Sequence, residues 1–310
     1  MAPSPATAAM PPTPPDLEDL RRQLDEIDDK LQDLLIQRAE LIAMVAASKK
    51  NSDRPAFQPA REAAIIRRLT ARHRGSFPLA TLVRMWRELL AATVRLQSPF
   101  AVAVYAPVEA QGFWDLARDH YGSNTAMSAL GSIGQVIRAV AEGRAAVGIL
   151  PMPHEEDPNP WWRHLLSIDA KAPRVVARLP FGTRGNSRTN GADALAIGRF
   201  VPQETGFDRT LLATETAFPI SRARFMRMLS GLGLSCTLFA SFEHAEGAVN
   251  LIEVEGFVPT SDPRLDRFRE QLGPELHRLL PIGGYAVPLP ATLFGPRPAV
   301  GLPAADAAKG

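Results

Sequence analysis

From Leu17 onward the apolar residues recur at alternating steps of three and four, through Leu20, Leu24, Ile27, Leu31 and Leu34, and resume at Leu41 and Val45. That spacing is the seam of one long amphipathic helix, expected from about Asp16 to Lys50. Such a helix cannot bury its seam inside a small monomer, so it needs partner helices. The next beat of the seam falls on Arg38. A guanidinium placed there must reach solvent or an anion, because an unpaired buried charge is costly. The seam therefore reads as built around a negative ligand.

Two more helices are legible before residue 98. Pro55 and Pro59 punctuate the break after the first, and Pro59 suits the opening position of a second helix carrying Arg61, Glu62, Ile65, Ile66 and Leu69. Gly75 and Pro78 mark a turn, and a third helix is expected over Leu79 to Gln97 with Leu82, Val83, Trp86, Leu89, Leu90, Thr93, Val94 and Gln97 facing inward. Each helix thus carries polar residues on its apolar stripe. Lys49 follows Arg38 by three helical turns, which puts both cations on one face about 16 Å apart. Thr93 and Gln97 share a face of the third helix. Arg21 flanks the seam, about 100° from Arg38, and is better placed to reach a neighbouring chain's site than its own. Together these residues make a pocket of cations, one carboxylate, one hydroxyl and one amide, without a nucleophile and base pair. Such a set binds and orients a small dianion. The competing reading is a charged dimeric coiled coil in which each residue serves only register or solvation.

Composition narrows the field. The chain has 310 residues, room for two or three domains, and a formal charge of +2 from 35 Lys+Arg against 33 Asp+Glu. That balance argues against a dedicated nucleic-acid binder, and the cluster Arg67, Arg68, Arg72 and Arg74 reads as the solvated end of a helix. The single cysteine, Cys236, excludes an intrachain disulfide and a cysteine-based metal site, and is expected to be a small buried apolar residue. No metal ligand set is expected. The first fifteen residues lack the basic start and apolar core of a secretory signal, and no run of eighteen apolar residues suggests a membrane span. The expectation is a soluble, cytoplasmic protein with disordered tails over 1–15 and 291–310.

Leu20-Arg21, Arg38, Ala47-Ser48-Lys49, Arg54-Pro55, Arg61-Glu62 and Thr93-Val94-Arg95-Leu96-Gln97 resemble, in order and spacing, the all-helical class of chorismate mutase. The resemblance covers residues 16–98. It implies an intertwined homodimer of three-helix chains, with chorismate as substrate, prephenate as product and no cofactor. By the same resemblance Arg21 from the partner, Arg38 and Arg61 hold the substrate carboxylates. Lys49 and Gln97 donate to the ether oxygen, Glu62 and Gln58 bind the ring hydroxyl, and Thr93 supports a carboxylate. Lys49, Gln97, Arg38 and Glu62 are thus the expected catalytic set. Gln58 replaces the family's frequent aspartate, and Thr93 its usual serine. Threonine keeps the hydroxyl, whereas Gln58 removes a charge but still offers donor and acceptor.

From Phe100 the pattern changes to alternating strands and helices. AVAVYAP, a helix around Phe113 to His120, and SIGQVIRAVAEGRAAVGILPMP are similar to one lobe of prephenate dehydratase, so the whole chain resembles fused chorismate mutase/prephenate dehydratase proteins. Only about forty residues separate Pro151 from the strand ADALAIG, too few for the family's second lobe, so residues 99–200 read as a truncated dehydratase-like α/β region. Where the family carries a catalytic Thr-Arg-Phe, this chain has Ala192-Asp193-Ala194. Residues 208–290 read strand, helix, strand, strand, helix, strand: a ferredoxin-like module resembling the regulatory ACT domain. Ile220-Ser221-Arg222 and Ala240-Ser241-Phe242-Glu243 replace the family's phenylalanine-binding segments. The expected activity is an isomerase of aromatic amino acid biosynthesis. The alternatives are a bifunctional mutase/dehydratase, a non-catalytic scaffold that dimerises through its helices, and a promiscuous mutase acting on isochorismate.

Overall fold

The computed structural model describes residues 16–49, 55–155, 157–169, 171–188 and 191–295. The tails expected to be disordered fall, over 1–15 and 296–310, outside the described residues. The chain divides into two compact units, residues 1–54 and 55–310.

The described residues of the first unit form one helix, α1 (Leu17–Lys49), of 33 residues. Glu18 and Asp19 in its first turn complement the positive end of the helix dipole, and Arg22 pairs with Asp19 at 3.0 Å and with Glu26 at 3.4 Å. Its seam is in solvent: Leu17, Leu24, Ile27, Leu31, Leu34 and Leu41 each keep more than half of their surface exposed.

The second unit opens with α2 (Pro59–Arg72) and α3 (Leu79–Gln97), both starting where the prolines place them. Proline's missing N–H costs nothing in a first helical turn, where that group has no intrahelical acceptor. The start of α2 is anchored by Phe57, whose ring lies 5.1 Å from Phe100, 5.8 Å from Tyr121 and 5.2 Å from Phe200. Behind it Ala63, Ile66, Val83 and Leu90 pack with Phe181 and Leu289 in a small core.

The rest of this unit is built on a nine-stranded sheet. Strands β1 (Ala101–Tyr105), β2 (Ala126–Leu130) and β3 (Val147–Pro151) are parallel, linked by α4 (Gly112–Tyr121) and α5 (Ile133–Ala141). Two antiparallel strands extend the sheet: β5 (Ala194–Gly198) pairs with β3, and β4 (Arg174–Leu179) with β5. The segment between β3 and β5 therefore adds a strand to the same sheet rather than a separate lobe. It is pinned by buried Trp161, Trp162 and Leu165, with Trp161 Nε1 donating to the Pro151 carbonyl at 3.1 Å.

Strands β6 (Asp208–Thr216), β7 (Cys236–His244), β8 (Gly247–Glu255) and β9 (Leu276–Ala286), with α6 (Arg222–Gly231) and α7 (Pro263–Leu272), complete the expected βαββαβ order. Their spatial order, β9-β6-β8-β7, is ferredoxin-like. Two expectations are corrected. In sequence, PRLDRFREQLGPELHRLL reads as one helix running to Leu280, but α7 stops at Leu272 because Gly273 adopts φ +55° and Pro274 has no N–H; the apolar run after it is β9. Arg67 is no solvated helix end: it is half-buried and donates to Thr205 Oγ1 and to the Phe207 and Val287 carbonyls, each at 2.8 Å. Arg68, Arg72 and Arg74 are exposed as expected, and Cys236 is half-buried.

The front and rear halves of the sheet meet at one parallel pairing, Val175 with Gly283. Gly283 has φ +129°, and a Cβ there would stand 2.2 Å from the Val175 carbonyl oxygen. Backbone cannot yield as a flexible side chain can. Gly283→Ala is expected to destabilise the protein by about 2–4 kcal/mol, combining clash with backbone strain. Gly256→Ala, at φ +87° with nothing within 4 Å of the added carbon, isolates the strain alone and should cost about 1 kcal/mol. Chemical denaturation of both variants checks the difference.

Candidate active site

The expected site residues fall on both units. On α1, Arg21 is exposed and 3.5 Å from Glu18. Arg38 is half-buried, and burial holds its guanidinium below the ordinary arginine value. Lys49 closes the helix; its side chain lies outside the described residues.

On the second unit, Gln58 precedes α2 as its N-cap residue and makes no side-chain cap; its Nε2 donates to the Pro55 carbonyl at 3.0 Å. Arg61 is exposed, whereas the next residue, Glu62, is buried. Arg87 Nη1 on α3 donates to Glu62 Oε2 at 3.3 Å, and Arg87 is itself 5 % exposed. Burial outweighs that single contact and pushes the Glu62 carboxyl up to about 7. Further along α3, Thr93 Oγ1 donates back to the Leu89 carbonyl at 2.9 Å, and Gln97 Nε2 to the Thr93 carbonyl at 3.1 Å. Gln97 Oε1 is buried and has no hydrogen-bond partner among the described residues. An amide carries two N–H donors, so Gln97 keeps one to give.

Arg87 was not singled out in the sequence. Helix α3 buries Val83, Arg87, Leu90, Ala91, Thr93 and Val94, a stripe rotated from the expected one, with Leu82, Trp86, Leu89 and Gln97 left half-buried. The signal was the one Arg38 gives: a cation four residues after Val83 and three before Leu90 sits on an apolar face.

Behind the helices, Ala192-Asp193-Ala194 leads into β5. Arg178 donates to Asp193 Oδ2 through Nη2 at 2.7 Å and Nε at 3.1 Å, and Arg184 donates to Oδ1. The chain of contacts continues from Arg178 to the Tyr285 hydroxyl at 3.3 Å, from that hydroxyl to Glu253 Oε1 at 2.5 Å, and from Thr237 Oγ1 to Glu253 Oε2 at 2.7 Å. It ties β4 and β5 to the ferredoxin-like half. No group of three or more His, Cys, Asp or Glu among the described residues is placed to hold a metal ion.

Residues 20–98 match the family model of chorismate mutase type II. The segment holds every expected site residue. The chain is also similar to the bifunctional chorismate mutase/prephenate dehydratases of Pseudomonas aeruginosa and Aquifex aeolicus, each 28% identical over 141 residues. Those alignments cover 44% of this chain and 38% and 39% of the relatives, so the chain spans about two fifths of their length. Among solved structures it is similar to a prephenate dehydratase from Streptococcus mutans, at TM-score 0.43 and 16% identity over 61% of this chain and 100% of the other. It is also similar to GqqA, described as a novel type of quorum quenching acylase, at TM-score 0.44 and 17% identity over 63% and 98%. Likeness at these scores carries no argument about chemistry.

The raised Glu62 value has a measurable consequence. Between the ordinary glutamate value near 4.5 and about 7, the folded protein holds a proton that the unfolded chain has released. Stability should therefore fall as pH rises through that window and level off above it. Glu62→Gln removes this contribution to the slope. Urea denaturation of both proteins from pH 4.5 to 7.5 checks it, with a shallower dependence expected in the variant.

Proposed function

We propose that this protein is a homodimeric chorismate mutase of aromatic amino acid biosynthesis, working in the cytoplasm, and that prephenate is its end product. The match of residues 20–98 to chorismate mutase type II carries the reading. The chemistry fits the residues. Conversion of chorismate to prephenate is intramolecular: an ether C–O bond breaks as a C–C bond forms, and neither a nucleophile nor a cofactor is required. The protein's task is to hold a flexible dicarboxylate in its reactive shape and to stabilise negative charge growing on the ether oxygen.

Arg38 and Arg61, with Arg21 of a second copy, take the carboxylates, for which the planar guanidinium fork is suited. Thr93 supports one of them. Lys49 and the spare N–H of Gln97 donate to the ether oxygen. Gln58 and Glu62 bind the ring hydroxyl; Glu62 gives Oε2 to Arg87 and has Oε1 left to accept. The solvent-exposed seam of α1 supports the dimer, since so long an apolar stripe is a surface for a partner helix.

The relatives' names favour a second reading, a bifunctional mutase/dehydratase. Against it stands Asp193, a carboxylate already neutralised by two arginines where the dehydratase family has a hydroxyl and a cation. There Arg178 and Arg184 already donate to a carboxylate of the chain itself.

Arg38→Ala is expected to remain a folded dimer and to lose about 10²-fold or more in chorismate turnover relative to wild type, followed by the loss of chorismate absorbance. Activity within a few-fold of wild type would sink the ligand role of the seam.

Gln97 offers a test with a sign. An amide donates at any working pH, whereas a glutamate is acceptor-only when ionised and a donor when protonated. Gln97→Glu should be slow at neutral pH by about 10²-fold and recover as pH falls, while the wild type shows no such rise. Rates from pH 4.5 to 8 on both proteins decide it.

A further inference from the structure

A cavity of about 260 Å³ opens between α3, α4 and the loop that follows β4. Its apolar wall is Val83, Leu116 and Phe181, all buried. Two polar side chains more than nine-tenths buried also line it: Arg87, 5 % exposed, and His120, 8 % exposed. Arg87 spends Nη1 on Glu62 and makes no other hydrogen bond among the described residues. Its Nε and Nη2, which form the side edge of the guanidinium fork, are unspent. His120 lies ring to ring with Tyr121 at 4.7 Å and makes no side-chain hydrogen bond among the described residues. The carboxylate on the cavity wall, Asp119, is taken by Arg84 at 2.6 Å. Polar groups of side chains this buried that meet open cavity space instead of a protein acceptor can be satisfied by a ligand.

We propose that this cavity binds a small monocarboxylate with an apolar body, and that its binding acts on Glu62 by engaging Arg87. The Nε edge of Arg87 matches a carboxylate bidentately, His120 adds a donor, and the apolar wall receives the remainder. The volume holds roughly ten heavy atoms, scaled from drug-sized sites of about 300–1,000 Å³. Burial, and then the Arg87 charge, hold the His120 imidazole well below its ordinary value, so it enters as a neutral donor. A carboxylate on Arg87 shares the charge that Glu62 otherwise has alone. Glu62 then keeps its proton more tightly and is poorer as an acceptor for the ring hydroxyl. This coupling rests on the role given to Glu62 in the mutase site.

Calorimetry on the full chain without chorismate, using phenylacetate as the probe and phenylacetamide as its neutral match, tests the site. Phenylacetate should bind once per chain with Kd on the order of 1 mM or tighter, and the amide about tenfold more weakly. Thr183→Trp, at an exposed position on the cavity lining, and His120→Leu, which leaves the Glu62–Arg87 pair intact, should each weaken binding about tenfold or more. Absence of binding heat, equal affinity for acid and amide, or wild-type binding by both variants would overturn the site. In chorismate turnover, phenylacetate should lower kcat/KM in the wild type by an amount that saturates as the cavity fills, and leave Thr183→Trp unaffected. Inhibition that never saturates and that excess chorismate fully relieves would place the probe at the substrate site and overturn the coupling. If the protein does not consume chorismate, the mutase reading and the coupling both fall, while calorimetry still decides the cavity.

Discussion

A charge on an apolar helix face is tolerated only when another group shares it, and this constraint runs through the molecule. The Glu62–Arg87 pair is its clearest case: two ions buried on facing stripes of α2 and α3, joined by one 3.3 Å contact. Apolar residues of the same volume would serve packing as well or better, because desolvation of a buried pair commonly cancels its attraction. Arg38 on α1 poses the same question from within a seam of leucines. Asp193, held between Arg178 and Arg184, answers it a third way, with a carboxylate neutralised at the entry to β5.

These three arrangements divide the chain by function. Over residues 20–98 polar groups keep capacity unspent among the described residues: Gln97 has a second N–H, Glu62 an unengaged oxygen, and Arg87 one edge of its fork. Around Asp193 the contacts run on from Arg178 through Tyr285 to Glu253 and Thr237, and the network fastens the front strands to the ferredoxin-like half, while Arg184 keeps a buried Nε without a hydrogen-bond partner among the described residues.

Much of this was legible in the chain. The helix limits of α2 and α3 follow from Pro59, Pro78 and the apolar period, and the βαββαβ order from six well-separated runs. Strands β2 and β4 were not recognised. AMSAL is short and has no buried residue, and RVVARL is a strand by virtue of pairing with β5 and β9, contacts that local pattern does not contain. The end of α7 was missed because apolar spacing continued through Gly273-Pro274, where backbone chemistry stops a helix. Arg87 and His120 escaped notice since their burial depends on α4 and the loop after β4 closing over α3. The charges of α1 were legible because their seam is periodic; what covers that seam is a property of assembly, not of one chain.

The central claim is that the helical segment rearranges chorismate while the sheet behind it carries no dehydratase chemistry. Incubating the purified chain with chorismate and separating the products by chromatography at neutral pH tests this most directly. The account predicts that chorismate is consumed, that prephenate accumulates in equal amount, and that no phenylpyruvate forms beyond that from prephenate alone. Untouched chorismate, or phenylpyruvate appearing in step with chorismate loss, would contradict it.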